Sequence, residues 1–238
     1  MKEIAYILLD VVPSTHDWIK SHLHQLDPKK MSCVTAEGQT AGRGRMGRKW
    51  VSPTGKNIYA SLFFTTESCF LPNMGQVLAL ACTTVLKSYG FAPQIKWPND
   101  ILIGEKKVAG ILAEAVSGGV ILGIGINVNM EEEVLKTIDQ PATSLACLSK
   151  KEWDRQEILQ AVVHQFAHNL AQLESQGFSS FHRIFESQLA FRDQEISVRD
   201  SGHTLHGVCE GITVDGRLKL RIPSGEVLTL MTGDLELG

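Results

Sequence analysis

The sequence is poor in the features that mark secreted, membrane-spanning or nucleic-acid-coating proteins. Its five cysteines (Cys33, Cys69, Cys82, Cys147, Cys209) are odd in number and never fall in a Cys-x-x-Cys spacing. That pattern argues against a disulfide framework and against a zinc site, and for reduced thiols in a cytosol. No apolar run approaches membrane-spanning length, and the first six residues lack a signal-peptide core. A net charge of −3 argues against bulk nucleic-acid binding, so any basic stretch is a local feature. What remains is 43% hydrophobic and 21% charged over 238 residues. This is the composition of a globular protein with one large domain, or one domain and a small appendage. A soluble, cytoplasmic protein is expected, with no membrane partner.

Against this even background, residues 38–50 stand out, reading Gly-Gln-Thr-Ala-Gly-Arg-Gly-Arg-Met-Gly-Arg-Lys-Trp. Gly42, Gly44 and Gly47 let backbone N–H groups approach a ligand, and Arg43, Arg45 and Arg48 carry permanent charge on forked donors that suit carboxylate and phosphate. The glycines match the dinucleotide-binding Gly-x-Gly-x-x-Gly, but that motif needs a helix to follow. Here Ser52-Pro53-Thr54-Gly55 breaks the chain and 57–65 reads as a strand. A phosphate-binding P-loop fails too, because Arg48-Lys49 stands where Gly-Lys-Ser/Thr is required. A solvated basic turn is the plain alternative.

Around the loop the pattern alternates between strand and helix. Residues 3–9 predict a buried strand. Ser14-Thr15-His16-Asp17 predicts a helix start with Ile19, Leu23 and Leu26 inward, a place where backbone donors can meet a ligand. Residues 73–89 predict a core helix, and 152–176 a long amphipathic one, with His164 and His168 on the surface. Lys96-Trp97-Pro98-Asn99-Asp100 predicts a tight polar turn between strands. Lys96 and Lys107, on neighbouring strands, could face one cleft, where Asp100 could hold magnesium and Gly110 would leave room for a ligand. Gly123, Gly125 and Asn127 interrupt a strand over 120–128, which signals either a bulge or a close backbone approach. A helix is expected to begin at Phe178 and run to 189. From 191 the texture changes to short alternating runs (196–199, 204–210, 217–222, 227–231) separated by turn residues, which predicts a small barrel.

In combination these blocks resemble the biotin–protein ligase family. The resemblance spans nearly the whole chain and rests on Ser14-Thr15, the run 39–48, Lys96-Trp97-Pro98-Asn99-Asp100, the run 107–114 and Gly123-Ile124-Gly125-Ile126-Asn127-Val128-Asn129. It implies an α/β (α+β) fold: a class II synthetase-like catalytic domain with a mixed sheet flanked by helices (1–190), then a small SH3-like β-barrel (191–238). It implies ATP and biotin as substrates with Mg2+, and a biotin carboxyl carrier protein as the partner whose lysine accepts biotin. Biotin is first activated to biotinyl-5'-AMP and then transferred.

The resemblance also implies site roles. Lys107, Arg45 and Arg43 would be catalytic. Ser14, Thr15, His16, Gln39, Gly42, Arg43, Lys107, Gly110 and Gly123 would surround biotin. Arg45, Arg48, Trp50, Lys96, Asn99, Asp100 and Asn127 would contact ATP or the adenylate, with Trp50 on adenine and Asp100 near the metal. The chain departs from the pattern at His16, where Asn is common. About a dozen residues precede Ser14, too few for the helix-turn-helix that some relatives carry, so no DNA binding is expected. Members occur as monomers and dimers, which leaves a homodimer open. A lipoate–protein ligase of the same fold and a non-catalytic biotin or nucleotide sensor are the rival readings.

Overall fold

The computed structural model describes residues 2–200 and 202–237. The chain opens with β1 (Ile4–Val12), α1 (Thr15–His22), β2 (Met31–Gln39), β3 (Ile58–Phe64) and α2 (Met74–Ser88). It continues through β4 (Gln94–Lys96), β5 (Asp100–Ile103), β6 (Lys106–Val116) and β7 (Gly119–Ile126). Two short helices, α3 (Glu132–Leu135) and α4 (Leu145–Ser149), lead to the long α5 (Arg155–Gln176) and to α6 (His182–Glu186).

Seven strands form one mixed sheet in the order β1-β2-β3-β7-β6-β5-β4. Only the β1–β2 pair is parallel, because α1 serves as the crossover between them; every other pair is antiparallel. β3 is buried at all seven positions, as a central strand covered on both faces must be. Alternation then divides its residues. Ile58, Ala60, Leu62 and Phe64 face the main core with α2 and α5, where the Phe64 and Phe166 rings lie 5.7 Å apart. Phe63, with Val34 and Ile121, faces the opposite side under Ile19 of α1. The stretch Ser68–Ser88 is long and apolar enough to cross a membrane by composition, a point missed by scanning for unbroken apolar runs; most of it is buried inside the protein.

The last strands are β8 (Glu195–Asp200), β9 (His203–Ile212), β10 (Leu218–Arg221), β11 (Val227–Leu230) and β12 (Asp234–Leu237). The expected barrel takes the form of a five-stranded antiparallel sheet in the order β11-β10-β9-β8-β12, and β12 is a strand that turn signals did not announce. Its inward side chains, among them Ile196, Val198, Leu218 and Leu235, are buried in the same apolar cluster as the large sheet. The helix expected from Phe178 opens instead as a 3-10 turn over Phe178–Phe181, which brings those two rings together 6.3 Å apart before α6 begins.

One carbonyl pins the two sheets. The Gly216 oxygen accepts from Gln76 Nε2 at 2.7 Å and from Trp97 Nε1 at 3.0 Å, both in buried surroundings. Gly216 has φ +90, and a Cβ there would stand 2.4 Å from Gln76 Oε1. Gly216→Ala is therefore expected to lower stability by about 1–3 kcal/mol. A urea titration should show an earlier midpoint, and an unchanged midpoint would remove this turn from the joint.

Candidate active site

The floor of the site follows from strand register. Gly123 of β7 pairs with Ser61 of β3 on one side and with Leu112 of β6 on the other; Gly125 pairs with Tyr59 and Gly110 in the same way. Because side chains alternate, these six residues share the face that carries α1. Four of the six are glycine or serine, so the sheet is nearly bare there. Neither glycine sits at a bulge: β7 pairs in unbroken register with both neighbours, so the close-approach reading of the sequence is the one realised.

The start of α1 forms one wall. Ser14 is the N-cap, its Oγ accepting from the Asp17 N–H at 3.4 Å. The next residue, Thr15, donates from N–H to Gln39 Oε1 at 2.9 Å and shares a hydrogen bond of 2.9 Å between its hydroxyl and that of Ser61. Gln39 in turn donates from Nε2 to Ser52 Oγ at 3.2 Å. His16 is also buried, 4% exposed, with Nε2 3.1 Å from Glu114 Oε2. Desolvation holds its imidazole below the ordinary range, against the pull of Glu114.

The arginine loop forms the other wall. It is a hairpin closed by Gly44 N–H to Arg48 O at 2.7 Å and Trp50 N–H to Gly42 O at 2.9 Å, with Met46 (φ 54) and Gly47 (φ 74) left-handed at its tip. Trp50 then turns inward onto the bare floor. A Cβ on Gly125 would stand 2.3 Å from its Cε2, and one on Gly110 would stand 3.0 Å from its Cζ3. Lys107 Nζ lies 5.4 Å from the centre of the same indole.

Every loop arginine and Lys107 meet an oxygen of the protein itself. Arg43 pairs with Asp17, and Arg48 with Asp234 at the start of β12. Arg45 donates to Asn99 Oδ1 at 2.7 Å and to the Gly233 carbonyl at 3.2 Å. Lys107 Nζ lies 2.8 Å from Asp100 Oδ2, while Asp100 Oδ1 accepts from Asn99 Nδ2 at 3.1 Å. The Asp234 hydrogen bond raises Arg48 further above its ordinary range.

The cleft between these walls encloses about 800 Å³ counted out to its open mouth, solvent space included. Ser14, Thr15, His16, Gln39, Arg43, Arg45, Arg48, Trp50, Asn99, Asp100, Lys107, Gly110 and Gly123 all border it, so most of the residues singled out from sequence converge. Three do not. Gly42 lies at the base of the hairpin, where a Cβ would meet the Trp50 carbonyl at 2.7 Å; it is a glycine so that the loop's legs can close. Asn127 is 2% exposed and spends its amide on the Thr143 carbonyl, fastening the segment before α4. Lys96, on the edge strand β4, lies outside the wall, so the two lysines do not share it. Asp234, Tyr59, Ser61 and Gly125 border the cleft without having been singled out as site residues.

Four buried side-chain polar atoms among the described residues lack a hydrogen-bond partner, and two of them, His16 Nδ1 and Trp50 Nε1, belong to this cleft. Native interiors rarely leave such atoms unpaired, so a ligand with complementary polar groups is indicated. Among the described residues the cleft offers no cysteine nucleophile. Burial pushes the Cys33 and Cys82 thiols up to about 12, and neither borders the site.

A glycine-floored slot beside clustered cations defines a class of protein that binds a flat organic ligand next to an anionic one. A family model described as the biotin/lipoate A/B protein ligase family matches residues 8–131. The chain is 33% identical over 242 residues to a bifunctional ligase/repressor BirA of Bacillus spizizenii, covering 98% of this chain and 74% of that protein. It is 33% identical over 205 residues to a biotin–[acetyl-CoA-carboxylase] ligase of Paracoccus denitrificans, covering 81% and 85%. A biotin protein ligase from Aquifex aeolicus, solved in complex with biotin and ATP, superposes with a TM-score of 0.87 at 30% identity over 98% of both chains. The chain belongs to the biotin/lipoate A/B protein ligase family.

Trp50 can lie where it does only because residue 125 has no side chain. Gly125→Ala should drive the indole off the floor, and in a protein otherwise lacking Trp18, Trp97 and Trp153 the remaining fluorescence should become more accessible to acrylamide. Unchanged quenching would contradict the packing described.

Proposed function

We propose that this protein activates biotin with ATP to biotinyl-5'-AMP and transfers the biotinyl group to a lysine of a biotin carboxyl carrier protein. The observation that carries the reading is the convergence of Arg43, Arg45, Arg48 and Lys107 on one cleft beside a glycine-floored slot. In the first step a carboxylate oxygen of biotin attacks the α-phosphorus of ATP, the bond to the β-phosphate oxygen breaks and pyrophosphate leaves. Both reactants are anionic, so fixed positive charge must offset their repulsion and the charge that develops between them. Arg43 and Lys107 would hold the carboxylate end and Arg45 and Arg48 the phosphates. The carrier lysine then attacks the acyl carbon, AMP leaves and the amine loses a proton. Trp50 would move from the glycine floor to cover adenine.

Magnesium fits only a limited role for the protein here. Both Asp100 oxygens are engaged by Asn99 and Lys107, and no group of three His, Cys, Asp or Glu side chains that could hold an ion is present among the described residues. Such a site suits an ion that arrives on the nucleotide's phosphates and gains Asp100 as one contact, there neutralising phosphate charge. Residues 1–190 would act as the catalytic unit, with 191–238 supplying Asp234 at the mouth. Five free cysteines favour a reducing cytoplasm, and the net charge of −3 favours no DNA partner for this chain.

Lys107→Ala should lower biotin-dependent ATP–pyrophosphate exchange by roughly a hundredfold or more while the thermal unfolding transition survives. Wild-type-like exchange would remove Lys107 from the reaction, and exchange driven by lipoate but not biotin would move the protein to the lipoate branch. Phosphate must also displace Asp234 from Arg48. Asp234→Asn is therefore expected to lower the KM for ATP severalfold, with kcat less affected, since a competing internal anion is lost. A raised KM would mean that Asp234 helps nucleotide binding.

A further inference from the structure

We propose that His16 is a specificity residue that accepts a hydrogen bond from a ligand N–H, and that Glu114 is the positioning residue that fixes the tautomer needed for this. The inference rests on the biotin reading and adds which ligand group is read, and by which atom.

The argument starts from charge. Glu114 Oε1 lies 2.5 Å from Lys20 Nζ, and Lys20 is one turn beyond His16 on α1. The hydrogen bond from Lys20 holds the Glu114 carboxyl below the ordinary carboxylate range, so it stays ionised and can only accept. Its second oxygen, 3.1 Å from His16 Nε2, therefore requires the ring proton on Nε2. A neutral imidazole with its proton there presents a bare lone pair at Nδ1. That atom is closed to water and has no partner in the protein.

This lone acceptor belongs to a residue that borders the cleft. A Cβ on Gly123 would stand 3.3 Å from His16 Nδ1, so the nitrogen borders the bare strip of floor between Ser61 and Leu112. The hydroxyls of Ser14, Thr15 and Ser61 can serve as donor or acceptor, and they adapt to whatever enters. Nδ1 in this tautomer cannot. It is satisfied by an N–H, which the cyclic urea of biotin has twice and a dithiolane lacks. A site with an obligatory acceptor rejects ligands that leave it unpaired. The groups facing the ring are Glu114 from β6, Lys20 from α1 and Arg43 from the loop; burial and the two cations favour the neutral ring, and Glu114 opposes them. Protonation would put a hydrogen on Nδ1 and turn the acceptor into a donor.

The test is calorimetric titration of the full chain with biotin and with two analogues in which one or the other ureido N–H is replaced by oxygen. The wild type should bind one analogue at least roughly tenfold more weakly than biotin. In His16→Ala that gap should close to within about threefold, and His16→Asn, which keeps an acceptor, should restore part of it. Glu114→Gln should raise the KM for biotin more than it lowers kcat. The wild-type KM for biotin should climb as pH falls through a range below that of an ordinary imidazole, and this rise should vanish in His16→Asn. Equal discrimination by wild type and His16→Ala, or a pH rise that persists in His16→Asn, would overturn the proposal while leaving biotin activation standing. Failure of the wild type to bind biotin at all would overturn both.

Discussion

Arg43, Arg45, Arg48 and Lys107 all border one cleft, and each is held there by an oxygen of the protein. Like charges sharing a cleft repel, and a partly desolvated cation without a counter-charge is costly. The fold answers with a partner from a different element for each: Asp17 from α1 for Arg43, Asn99 and the Gly233 carbonyl for Arg45, Asp234 from β12 for Arg48, and Asp100 from β5 for Lys107. A hairpin with three glycines would otherwise be free to swing its arginines into solvent. The same contacts mean that an incoming anion has to compete with Asp17, Asp234 and Asp100 for these cations.

That arrangement gives the C-terminal sheet a place in the chemistry. Its strands share the apolar core of the large sheet, and Gly216 is held between Gln76 and Trp97. Trp97 and Asn99 lie in one short turn, so the segment that grips the C-terminal sheet also supplies the acceptor for Arg45. Movement of the 231–234 turn would therefore be felt at two loop arginines, through Gly233 and Asp234 together. Coupling of this kind needs no long pathway, because the contacts are direct.

Much of this was legible in the sequence, for reasons that differ by residue. The arginine hairpin, the Ser14 cap and the long helices follow from local chemistry, which a linear reading can see. The paired glycines at 123 and 125 signalled either a bulge or a close approach, and only the structure shows that it is the approach of Trp50 and His16. Asp234 carried no signal, since its partner lies 186 residues away, and Glu114, although it closes the 107–114 block, gave no hint that its partner is His16, 98 residues away. Lys96 and Asn127 also stand in motif blocks, but one lies on an edge strand outside the wall and the other anchors a buried turn, because neighbours in a motif need not face the same cleft.

The bare floor also explains why the slot needs its polar rim. Ser61, Gly123 and Leu112 form one cross-strand row and Tyr59, Gly125 and Gly110 the next, so missing side chains leave a flat recess two residues wide in an otherwise close-packed sheet. A recess lined by backbone has no shape with which to choose among flat ligands of similar size. Choice then falls to the atoms at its edge, and most of those are hydroxyls or amides that accommodate either sense of hydrogen bond. His16 is the exception, because a lysine-bound carboxylate behind it settles which nitrogen carries the proton. On the proposal above, selectivity in this cleft depends on a salt bridge one turn along the same face of α1, because Lys20 and His16 share Glu114.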